Sequence, residues 1–183
     1  GRHLTNGELV FDTFDHLYTN FYSYNFPDFG FINHHWLTGV LFFGVHYLFG
    51  FEGLSILGMA FVVLSFCFFG YIGFQSIKGW LYLGLTCSLL PLLTFRTEVR
   101  PEGISLVLFG LFLVLCWQVY HGKWNPKALL FLIPLQILWS NFHIFFLFGC
   151  FLTGCFYLQE RFFKPRKKIL RWFFWITLAL VFS

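Results

Sequence analysis

Three short stretches of the chain carry side chains able to do chemistry, and each sits beside or inside apolar sequence. The first holds Asp12, Asp15 and Asp28, followed by Asn33, His34, His35 and Trp36. The second is Arg96-Thr-Glu98-Val-Arg100-Pro-Glu102, and the third Trp139-Ser-Asn141-Phe-His143. Arginines in poorly hydrated surroundings hold phosphate through bidentate forks, so Arg96 and Arg100 form a candidate anion site with Glu102 beside them. The alternative is a helix end anchored by snorkelling arginines paired with Glu98 and Glu102. Pro101 disfavours helical backbone at Arg100, so Arg96 and Arg100 are not expected to share one helical face.

Asp12 and Asp15 stand three apart and could point the same way on one turn, as a general base or as ligands of a divalent metal ion. A solvated loop with aspartate caps and turns explains them equally simply, and the residues alone favour it. His34 and His35 are adjacent and point in different directions in regular structure, which argues against their sharing one metal. One of them touching a substrate phosphate and interfacial anchoring beside Trp36 both stay open. His143, at an expected helix break, needs a partner, either a structural hydrogen bond or a ligand. A haem pair of His46 with His143 has no support in the spacing.

The elements that must position these groups are apolar. Hydrophobic residues make up 58% of the 183 positions and charged ones 11%, where a soluble domain carries about a quarter charged. A soluble fold so poor in charge could not cover its outside, so the expected fold is all-α, a polytopic transmembrane helical bundle. The five cysteines lie in apolar stretches with no CxxC pair, and are expected to be small buried apolar residues. The net charge of +4 comes mostly from one C-terminal cluster and gives no reason to expect nucleic acid.

Residues 1–35 read as a loop, with a short helix expected near 7–17. Residues 36–49 would reach only roughly 21 Å as a helix, short of the roughly 30 Å hydrocarbon core, so they could lie in the interface. Spans are expected at 53–74, 80–95 and 103–120, and a last one from about Leu170. Residues 127–158 would make one helix of about 48 Å, too long for a bilayer, or two halves broken around 140–143 that go in and come back. With alternating spans, nine of the twelve basic residues fall on one side, KPRKK at 164–168 being the strongest marker, and seven of the eight acids on the other. The basic side is then cytoplasmic; the second and third polar stretches lie outside together, and the first joins them if residues 36–49 do not cross, the helix break being tolerated where protein or water surrounds it.

In order along the chain, Gly1-Arg2-His3-Leu4, Asp12, Asn33-His34-His35-Trp36-Leu37, Arg96 with Arg100-Pro101, and Trp139, Asn141 and His143 resemble the motifs of a group of bacterial membrane proteins. That group is similar to the GT-C superfamily of polyprenyl-phosphate-sugar-dependent glycosyltransferases, the class containing protein O-mannosyltransferases and lipid A aminoarabinose transferases. The resemblance covers residues 1 to about 160; the group commonly has Gly after the motif histidine, where this chain has Ile144. It implies a single GT-C-like module over 1–183, with an extracytoplasmic loop at 1–35, a juxtamembrane helix at 36–50 and transmembrane helices over 53–183. It also implies transfer of a sugar from a polyprenyl-phosphate donor to a lipid, glycan or protein acceptor at the outer face of a bacterial inner membrane. Arg96 and Arg100 would steady the lipid phosphate, and His34, His35, Glu102, Asn141 and His143 would line the cavity. In many members the catalytic carboxylate directly follows the first transmembrane helix, which here would precede Gly1; the chain is therefore expected to be part of a longer protein, with Asp12 and Asp15 as secondary acidic sites. The competing expectations are a transporter or lipid flippase, for which a broken helix facing a polar pocket is equally natural, and a structural subunit whose loop binds a partner.

Overall fold

A computed structural model describes residues 2–12, 23–26, 29–30, 35–76, 79–82, 84, 87–88, 99–163 and 167–182. Its regular elements are helical: α1 (Arg2–Asp12), α2 (Trp36–Ser76), α3 (Pro101–Tyr120), a 3₁₀ segment (Pro126–Phe131), α4 (Leu132–Phe142), a 3₁₀ turn (Ile144–Phe146), α5 (Leu147–Phe162) and α6 (Lys167–Val181). Among the described residues there is no β-strand. The all-helical expectation holds, and two helices, α2 and α3, are long and apolar enough to cross a membrane. The span expected at 80–95 lies largely outside the described residues, as do the basic residues 164–166.

The first helix starts earlier than the sequence suggests. A helix was expected near 7–17 within a loop, but α1 already begins at Arg2. It is docked by Gly7, which meets the backbone of Gly39 on α2; a Cβ at Gly7 would overlap the Gly39 carbonyl. Two glycines facing each other let the helix backbones touch, a tertiary contact invisible to local periodicity.

Helix α2 breaks at Gly50, whose φ of 63° and ψ of −158° suit glycine and almost nothing else. The break separates an arm of residues 36–49 from an arm of residues 51–76. The second arm, about 39 Å long, is enough to cross a bilayer. Its side chains Ile56, Met59, Val63 and Phe74 are exposed.

Helix α3 starts where Pro101 takes the first helical position after an extended Arg100 (φ −127°, ψ 156°). It runs parallel to the second arm of α2: a Cβ on Gly58 would meet Val99, one on Gly103 Phe61, and one on Gly110 Phe68. At the far end Lys123 Nζ donates to Gln75 Oε1. Helices α4 and α5 form the hairpin expected for 127–158. His143, in extended conformation (φ −161°, ψ 146°), interrupts them. Trp139 packs edge-on to Phe112 at 5.3 Å, and Phe156 packs near Tyr120 at 5.7 Å, so α4 approaches the start of α3 and α5 leaves it. Helix α6 returns along α5, with Phe173 stacked on Phe156 at 5.6 Å and Leu180 O accepting from Cys150 Sγ. The core between them is dominated by Phe112, Leu129, Leu132, Trp139 and Phe173, all fully buried.

This topology sorts the charges. His35, Glu102 and His143 lie where α2 and α3 begin and α4 ends, whereas Lys123 and Lys127 follow α3, and Arg161 and Lys168 stand where α5 ends and α6 begins.

Candidate functional site

The polar cluster is assembled from four helix ends. Helix α1 brings His3, the start of α2 brings His35, Trp36 and Thr38, the first turns of α3 bring Glu102 and Ser105, and the α4–α5 break brings Trp139, Asn141 and His143. The His35 and His143 rings stack with centroids 4.9 Å apart and planes 27° apart. The His3 ring meets His35 edge-on at 6.5 Å and Phe42 at 6.2 Å. Phe145 closes the other side of His143 at 4.4 Å.

Side-chain hydrogen bonds tie these segments together. Trp36 Nε1 donates to Asn141 Oδ1 at 2.9 Å, and Thr38 Oγ1 donates to Phe142 O at 2.7 Å. Both bonds fasten the first arm of α2 to the end of α4, where the last carbonyls of a helix have no intrahelical partner. Trp139 Nε1 donates to Ser105 Oγ at 3.0 Å, and Ser105 Oγ lies 3.1 Å from His143 Nδ1. Ser105, Trp139 and His143 are all buried, so these polar atoms depend on one another.

Glu102 sits in the first turn of α3, where the positive end of the helix dipole favours a carboxylate. Its Oε2 is buried and has no hydrogen-bond partner among the described residues. Burial holds the His3 imidazole below its ordinary pKa of 6.5, the neighbouring His35 and then Arg2 add to that, and Glu102 opposes them. A histidine kept neutral is a hydrogen-bond donor and acceptor at once, suited to a polar ligand.

The residues singled out from sequence fare differently. His35, Glu102, Asn141 and His143 are brought together. Asn141 is already committed within the protein, since its Nδ2 donates to Ile137 O at 2.7 Å while its Oδ1 accepts from Trp36. Arg100 lies exposed at the N-terminus of α3, two residues from Glu102. Asp12 is exposed at the last residue of α1, about 14 Å along the helix axis from His3. Asp15, His34 and Arg96 fall outside the described residues. Among those described, no group of three or more His, Cys, Asp and Glu side chains is placed to hold a metal ion. His46 packs on Phe51 at 4.5 Å.

Sequence reasoning missed His3, Thr38 and Ser105. His3 was read only as part of a motif string, and nothing local announces that it reaches His35. Ser105 carried a usable signal: it is one of very few polar residues in an apolar helix, one turn after Pro101. Comparison with known protein families, with curated proteins and with solved structures finds no match to this chain.

Proposed function

We propose that this chain is a membrane-embedded glycosyltransferase of GT-C type, in a polytopic protein of the bacterial inner membrane. It takes a sugar from a polyprenyl-phosphate-linked donor and passes it to a lipid, glycan or protein acceptor on the extracytoplasmic face. The observation that carries this reading is the stacking of His35 on His143, with Glu102 and Ser105 beside them. It joins the loop motif, the arginine–proline motif and the histidine-bearing helix break in one polar cluster at one end of an apolar bundle. The placement of Lys123, Lys127, Arg161 and Lys168 toward the other end supports an outward orientation of the cluster.

In the reaction the acceptor oxygen loses its proton to a general base and bonds to the anomeric carbon. The bond from that carbon to the phosphate oxygen breaks, and its electron pair leaves with the lipid phosphate. Arg100, with Arg96, neutralises the charge growing on the departing phosphate, while His34, His35 and His143 serve to bind the substrate. Asp12 is removed from the cluster, so of the two aspartates singled out from sequence the role of base falls to Asp15. Glycosylated lipids and glycans from membranes of cells carrying the wild-type protein, Arg100→Ala or His34→Ala test the reading. It expects loss of one product and accumulation of its lipid-linked donor in both variants. Unchanged products in both would overturn it, and a product made but confined to the cytoplasmic leaflet would favour a flippase.

A further inference from the structure

The surroundings of the Trp139–Ser105–His143 chain favour one assignment of protons. Trp139 Nε1 can only donate, so the lone pairs of Ser105 Oγ receive it at 3.0 Å. The serine hydroxyl has one proton to place. Several helical hydroxyls return theirs to a carbonyl one turn back, as Ser55 does to Phe51 O, Ser76 to Ile72 O and Thr177 to Phe173 O. The side-chain contacts of Ser105 run to Trp139 and His143 instead. Its remaining neighbour is His143 Nδ1, at 3.1 Å. Ser105 is 3% and His143 7% exposed, so water does not offer a ready substitute.

We propose that Ser105, itself held by Trp139, is a positioning residue that fixes His143 with Nδ1 as acceptor and the proton on Nε2, so that the ring presents a neutral N–H to an anionic phosphoryl oxygen. The phosphoryl ligand rests on the transferase reading above; the proton assignment does not. The ring is also fixed in orientation, since His35 stacks on one face, Phe145 meets it edge-on, and the His143 backbone N donates to Trp139 O at 3.0 Å. Trp139 thus holds both the backbone and, through Ser105, the side chain of the same histidine. A neutral donor suits a site that must release its product: it binds a phosphoryl oxygen without the tight charge pairing that a second cation beside Arg100 would add.

Nitrogen NMR of the full-length protein labelled with ¹⁵N-histidine, in lipid nanodiscs, tests this, the His143 signals being identified by their loss in His143→Gln. The wild type is expected to show an unprotonated, hydrogen-bonded Nδ1 and a protonated Nε2. Ser105→Ala is expected to move Nδ1 to the position of a free acceptor or to mix the two tautomers, and Ser105→Thr to keep the wild-type pattern. A proton on Nδ1 in the wild type, or a spectrum unchanged by Ser105→Ala, overturns the assignment. Sugar transfer by the same samples is expected to fall about tenfold in kcat for Ser105→Ala, the effect of one lost neutral hydrogen bond, and to survive in Ser105→Thr. Should the wild type transfer no sugar while the nitrogen signals behave as expected, the transferase reading fails and the positioning role stands.

Discussion

His35 and His143, one at the entry to α2 and the other in the break of a helical hairpin, stack ring on ring at 4.9 Å. The bonds from Trp36 to Asn141, from Thr38 to Phe142 and from Trp139 to Ser105 each run between different helices. The site is therefore a property of the bundle, and each of its links can be cut separately.

The stack itself is the first to test. Ring pairs of this kind contribute about 0.5–1.5 kcal/mol beyond the area they bury. A double-mutant cycle of His35→Ala and His143→Ala, read by thermal unfolding in detergent, should give a coupling energy in that range. Additive effects would mean that the rings do not meet.

The bond from Thr38 to the carbonyl of Phe142 is fully buried on the threonine side. Thr38→Val keeps the shape and removes the donor, leaving a helix-end carbonyl without it, at a cost of about 1–2 kcal/mol. Ser55, exposed and bonded only within its own helix, is the control. Ser55→Ala should change stability by less than about 0.5 kcal/mol. Equal effects of the two substitutions would contradict the fastening role given to Thr38.

The docking of α1 depends on Gly7. A Cβ there would overlap backbone of Gly39, which cannot turn aside as a side chain could. Gly7→Ala should cost about 1–3 kcal/mol and open α1 to protease. Gly44 has open space where its Cβ would go, so Gly44→Ala should be neutral or stabilising by up to about 1 kcal/mol. Protease resistance of α1 in Gly7→Ala would show that the two helices do not cross as described.

Acid should loosen the same contact. The pKa of His3 is lowered in the fold, first by burial and then by His35 and Arg2, so the unfolded chain takes up a proton before the folded one does. The stability His3 contributes is therefore whole above about pH 6.5 and is lost as pH falls below it. The thermal midpoint should drop between about pH 7.5 and about pH 5.5, and His3→Gln should reduce that drop. An equal drop in the variant would remove His3 from the account.

Much of the framework was legible because apolar length and proline leave local marks. Residues 103–120 could hardly be anything but a helix, Pro101 marked Arg100 as lying outside it, and the excess length of 127–158 pointed to the break found at His143. The kink at Gly50 appeared only as the shortness of residues 36–49, since a single glycine among many does not declare its φ. What sequence could not show was which distant groups meet. The contact of Gly7 with Gly39 depends on two missing side chains, and the path from Trp139 through Ser105 to His143 joins two helices whose patterns are simply apolar. Asn141 shows the converse: a polar residue in an expected motif whose amide turns out to be committed to Trp36 and Ile137.

The central claim is that the histidine cluster faces the outside while the basic helix ends face the cytoplasm. Its most direct measurement is labelling of single cysteines, placed in the protein freed of its native cysteines, by a membrane-impermeant maleimide in intact cells. Asp12→Cys and Phe145→Cys, both at exposed positions, should react from outside, and Lys123→Cys only after the membrane is permeabilised. Reaction of positions 123 and 145 from the same side would contradict the account.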